Sequence, residues 1–106
     1  MLRSIKSGQR KVRILALKIS NAGVVSGLDS KKVSFASGVL TFNQAFAEAP
    51  VVIATYVTPV AGNIISNSSI TPVSTDSITN SDCAVEIIAG ADVEMLIIGS
   101  DITEKY

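Results

Sequence analysis

The stretch Val51-Val52-Ile53-Ala54-Thr55-Tyr56-Val57-Thr58 decides the fold class. It is built from β-branched and aromatic residues and follows Pro50, which cuts any helix running into it. Its apolar residues fall on both faces of an extended chain. A strand buried on both sides is therefore expected, between the sheets on one side and against a subunit contact on the other.

Working outward, residues 11–19 (KVRILALKI) form a second strand candidate, with Val12, Ile14 and Ala16 on one face and Leu15, Leu17 and Ile19 on the other, beside Lys11 and Arg13. Asn21-Ala22-Gly23 is a turn, Val24-Val25 a short extended piece ending at Gly27, and Asp29-Ser30 the next turn. Val33–Phe35 and Val39–Phe42 make a hairpin around Ala36-Ser37-Gly38, and Phe46 points inward from the connection Asn43–Glu48. Residues 59–69 read as a loop. Strands are expected over 70–74, 77–88 and 93–99, with turns at 74–76 and 89–92. No window sustains a 3.6-residue period. This spacing of short strands and turn residues predicts an all-β protein, an antiparallel β-sandwich.

A chain of 106 residues builds one domain: an arm at 1–10 and a β-domain over 11–106. Its mean hydropathy of +0.44 is high. Yet its longest apolar runs, Ile14–Leu17 and Ala49–Ala54, fall far short of the ~18 residues of a membrane span, so no membrane partner is expected. Burial between copies of the chain is the most economical outlet for the apolar surplus. With no His, no Trp and a single Cys, the usual zinc, copper and iron sites and the His-based nucleophile relays cannot be assembled. No cofactor and no enzymatic activity are expected. Cys83 reads as a small buried apolar residue.

The net charge of zero hides a strong asymmetry. Arg3, Lys6, Arg10, Lys11, Arg13, Lys18, Lys31 and Lys32 all precede residue 33, opposed there only by Asp29. Between Val33 and Glu104 there is no Lys or Arg, while eight carboxylates accumulate. A basic arm ahead of an acidic body points to attachment, to a partner surface or to a neighbouring copy. Nucleic acid is not the expected partner: the arm has no interleaved aromatics, and the acidic body repels phosphate.

The series Val33-Ser34-Phe35, Thr41-Phe42, Phe46, Ala49-Pro50-Val51-Val52, then Ile70-Thr71-Pro72-Val73-Ser74-Thr75-Asp76-Ser77-Ile78, closing on Val93-Glu94-Met95-Leu96-Ile97-Ile98-Gly99, resembles the H-type-lectin-like β-sandwich. That family occurs in some invertebrate lectins and at the tips of bacteriophage tail fibres. The likeness spans roughly residues 33–100. It implies a trimer with sheets packed about a threefold axis. Met95 and Ile78 stand where the family commonly has aromatics, which weakens the case for inherited lectin activity.

Together these readings predict a structural protein at the virion surface of a bacteriophage, most economically a trimeric capsid decoration, or cement, protein. Its partners would be its own copies and the major capsid protein or another virion protein. A chain that opens on Met and holds one small domain suits this role better than a fibre tip, which normally sits behind a long shaft. The attachment residues would be Leu2, Arg3, Ile5, Lys6, Arg10, Lys11 and Arg13. Asp92 and Glu94, two apart on a strand and so on one face, would be intersubunit acidic partners for the arm. The alternative is a receptor-binding tip recognising host glycan through loop residues Asn63, Asn67, Ser68 and Ser69.

Overall fold

Alternation of side chains along β1 (Val12–Ile19) sets one sheet: Leu15, Leu17 and Ile19 are buried while Val12 and Ile14 face outward. The computed structural model describes residues 12–57 and 71–101. The expected attachment residues Leu2, Arg3, Ile5, Lys6, Arg10 and Lys11, and the expected glycan loop with Asn63, Asn67, Ser68 and Ser69, lie outside the described residues.

The remaining strands are β2 (Val25–Ser26), β3 (Val33–Ala36), β4 (Val39–Phe42), β5 (Val51–Val57), β6 (Asp82–Ala84) and β7 (Asp92–Ser100). They form two antiparallel sheets, ordered β2-β1-β7-β5 and β3-β4-β6. Among the described residues there is no α-helix, only short 3-10 turns at Ser30–Lys32 and Thr75–Ser77. The all-β expectation holds.

Inner rows of the larger sheet, Leu15–Ile97–Val52 and Leu17–Met95–Ala54, lie across β1, β7 and β5. Together with Val33, Leu40, Phe42 and Cys83 of the smaller sheet they belong to one core cluster. Phe46 enters it as expected, 2% exposed, and meets Phe42 edge-to-face at 5.2 Å. The β3–β4 hairpin turns on two residues rather than the expected three: Ser37 (φ 53°) and Gly38 (φ 79°) are both left-handed, and Ala36 still pairs with Val39. That geometry matches the twist of the flanking strands.

Two strand expectations fail. Residues 71–74 are irregular, and of 77–88 only Asp82–Ala84 joins a ladder. The cause is local hydrogen bonding that competes with a sheet. Pro72 has no N–H to donate. Ser74 accepts from the Asp76 N–H at 3.3 Å, and the Ser77 hydroxyl donates to the Ser74 carbonyl at 2.7 Å. The Thr79 hydroxyl donates to the Asp82 carboxylate at 2.9 Å and accepts from the Asp82 N–H at 3.0 Å.

Cys83 is fully buried, and burial followed by the neighbouring Asp82 charge pushes its thiol from 9.0 up to about 11. A raised folded-state value favours the neutral thiol. Its contribution to stability is complete below pH 9 and is lost as pH rises from 9 through about 11. Cys83 is therefore expected to resist thiol reagents in the native protein at pH 8 and to react once the chain is unfolded, as a colorimetric thiol titration will read. Rapid native labelling would show that the core opens there.

Candidate interaction surface

The outer face of the larger sheet is built in cross-strand rows. Ile14, Ile98 and Val51 form one; Ala16, Leu96 and Ile53 form the next; Lys18, Glu94 and Thr55 form a third. Two apolar rows thus run into one polar row. Val51 (62% exposed), Val12 (59%), Ile14 (56%) and Ile53 (56%) are all bare, and Leu96 is more than a third exposed. The strand over residues 51–57 is apolar on both faces, as expected: Val52 and Ala54 pack on the core, and the outer face, expected to meet another subunit, stands open in the single chain at the edge of the sheet.

Leu28, 87% exposed, stands beside this face on the segment after β2. Taking roughly 100 Å² for each of the six bare side chains gives on the order of 600 Å² per copy, near the ~800 Å² each partner brings to a standard interface. That is the upper end of the roughly 300–600 Å² that the largest apolar patch of a soluble monomer covers, and patches of that size often mark an interaction site. Between Leu28 and the Ile53–Leu96 ridge lies a depression of about 390 Å³ that also takes in Ala16, Lys18 and Glu94.

The charged residues are disposed otherwise than the sequence suggested. Arg13, expected in the attachment set, is 15% exposed and engaged within the fold. Its Nε donates to Asp101 Oδ1 at 2.7 Å, Nη1 to the Gln44 carbonyl at 2.7 Å and Nη2 to the Ala45 carbonyl at 3.0 Å. Its guanidinium lies 3.9 Å from the centre of the Phe46 ring. It points inward because it shares the face of Leu15 and Leu17, at the end of the core. Arg13 is a framework residue.

Asp92 and Glu94 do share a face, as expected, and each has a partner in its own chain. Asp92 Oδ1 accepts from the Asn21 N–H at 3.1 Å, and Glu94 Oε2 lies 3.6 Å from Lys18 Nζ. Both members of the second pair are about half exposed, so the pair contributes little to stability. Asp29, read from the sequence as a turn residue and as the one carboxylate among the leading cations, is buried: its Oδ2 accepts from the Ala16 N–H at 2.8 Å, and its own N–H donates to the Ala16 carbonyl at 3.0 Å. It replaces the missing strand partner where β2 stops.

Of the aromatics, Phe42 and Phe46 are buried and Phe35 and Tyr56 partly so; the Tyr56 hydroxyl donates to the Glu86 carbonyl at 2.8 Å. Burial, and then the Glu86 charge, raise the Tyr56 pKa above 10.0. Among the described residues there is no exposed aromatic platform on which a sugar ring would stack. Comparison with family models, curated proteins and solved structures finds no match. The open sheet face, with Leu28 beside it, is the feature of the described residues that calls for a partner.

Proposed function

We propose that this chain is a non-enzymatic structural protein of a bacteriophage virion, a trimeric decoration protein that binds and reinforces the capsid shell. The observation that carries the reading is the apolar outer face of the β2-β1-β7-β5 sheet, left bare by a single copy. Copies packed through that face bury the apolar surplus. The basic segment ahead of β1, with Arg3, Lys6, Arg10 and Lys11 and the apolar Leu2 and Ile5, fastens the trimer to an acidic site on the shell or another virion protein. Arg13 is left out of this set because its donors are taken within the fold. The likeness of residues 33–100 to the H-type-lectin-like sandwich supports the virion setting. Bridging neighbouring shell subunits stabilises the lattice by mass action.

The test has two parts. Sedimentation equilibrium on the full chain is expected to return three times the 11.0 kDa mass of one copy. Quantitative mass spectrometry of intact virions is expected to find the protein in fixed proportion to the major capsid protein. A few copies per particle would move it to the tail, and absence from the particle would end the virion reading.

A further inference from the structure

We infer that Leu28 is the anchor of the contact between copies, and that it seats in the Ala16-lined depression of a neighbouring copy. The inference rests on the reading above that copies associate through the outer sheet face, and it names the residue that decides whether they do.

Three observations lead there. Leu28 is the most exposed large apolar side chain among the described residues, at 87%. It is also held firmly from both sides. Gly27 before it is left-handed (φ 103°), and a Cβ there would lie 3.1 Å from the Leu17 backbone, so the chain is pressed against β1 at that point. Asp29 after it is tied to both the N–H and the carbonyl of Ala16, and the Ser30 N–H donates to the Gly27 carbonyl at 3.3 Å. Gly27 and the buried Asp29 carboxylate fix the backbone that carries Leu28, so association has only the side-chain rotamers left to order.

The depression supplies the other half. It is lined by the small side chain of Ala16, by Ile53 and Leu96, by Lys18 and Glu94, and on its near side by the chain's own Leu28. At about 390 Å³ it is roomy enough to accept a leucine side chain from outside. Projection and hollow lie next to each other on one surface, so Leu28 cannot fill the hollow of its own chain while 87% exposed, but a symmetry-related copy presents both in complementary positions. The rim carries one charge of each sign, Lys18 and Glu94 at 3.6 Å from one another, so it presents no net charge to an apolar side chain arriving from a neighbouring copy. Those features choose a second copy as the occupant over a partner of another kind, which would need neither the adjacent projection nor the balanced rim.

The experiment uses the full chain and its Leu28→Asp variant, with sedimentation velocity over a wide concentration range and circular dichroism as the check on folding. Wild type is expected to associate. Leu28→Asp is expected to weaken that association at least about 30-fold, as anchors in desolvated pockets do, with an unchanged circular dichroism spectrum and a thermal midpoint that falls only to that of dissociated wild type. As a second readout, Leu28→Cys protein mixed with Ala16→Cys protein is expected to give a mixed disulfide-linked dimer on mild oxidation. A wild-type chain that stays monomeric throughout would overturn association through this face, and the inference with it. A wild type that associates while Leu28→Asp associates equally well, with no mixed dimer, would overturn the role of Leu28 alone.

Discussion

Replacing Arg13 by Ala is expected to destabilise the protein by about 2–4 kcal/mol, because it strands partners as well as removing contacts. The Asp101 carboxylate loses its ion pair, and the Gln44 and Ala45 carbonyls lose their donors. The guanidinium 3.9 Å from the Phe46 ring centre also covers the end of the core, which Ala leaves open. For a domain of this size the thermal midpoint should fall by roughly 10–20 °C. Arg13→Lys keeps the charge but not the planar fork that reaches three acceptors while stacking on a ring, so it should lie between Ala and wild type. Thermal and urea unfolding will measure both; a loss under about 1 kcal/mol for Ala would mean the side chain is held no better than a surface ion pair.

The second large effect is expected at Gly99, directly across the ladder from Arg13. A Cβ there would overlap the Phe46 ring and lie 2.9 Å from Pro50 Cβ, so Gly99→Ala should cost about 1–3 kcal/mol by overpacking. The ring occupies that space because glycine leaves it empty. Trimming the ring should relieve the clash: the double variant Gly99→Ala with Phe46→Leu should cost less than the sum of the two single changes. Strict additivity would show that the backbone shifts to accept the methyl group and that Phe46 is not what excludes it.

Both effects concern one end of the two-sheet core, where Arg13, Phe46, Gly99 and Asp101 form a stack of cation, ring, backbone and carboxylate. A second cation–carboxylate pair lies on the outer face, where Lys18 and Glu94 are exposed and contribute little within one copy. A basic residue's position along the sequence thus says less about its role than the direction in which its strand turns it. Arg13 and Lys18 belong to the same strand and lie on opposite faces.

Strand identity was legible wherever alternation and turn residues agreed, as in Val12–Ile19, the Val33–Phe42 hairpin, Val51–Val57 and Asp92–Ser100. It was misread over 71–74 and over 77–88 outside Asp82–Ala84, where Ser, Thr and Asp side chains bond the backbone locally and stop the chain joining a ladder. The inner and outer faces of β1 were also legible, since period-two alternation needs no knowledge of neighbours. The apolar outer face of β5 was legible too, but its place at the edge of the sheet was not, because an apolar residue reads the same whichever strand lies beside it. Local pattern alone therefore determined the all-β class, most strand positions, the inward Phe46 and the charge asymmetry. Tertiary structure decided that Arg13 closes the core, that Asp29 completes the β1 ladder, and that Val51, Ile53, Ile14, Leu96 and Leu28 gather on one uncovered surface. Those outcomes depend on which strands lie side by side and in what register, and register is set by contacts between residues far apart in the chain.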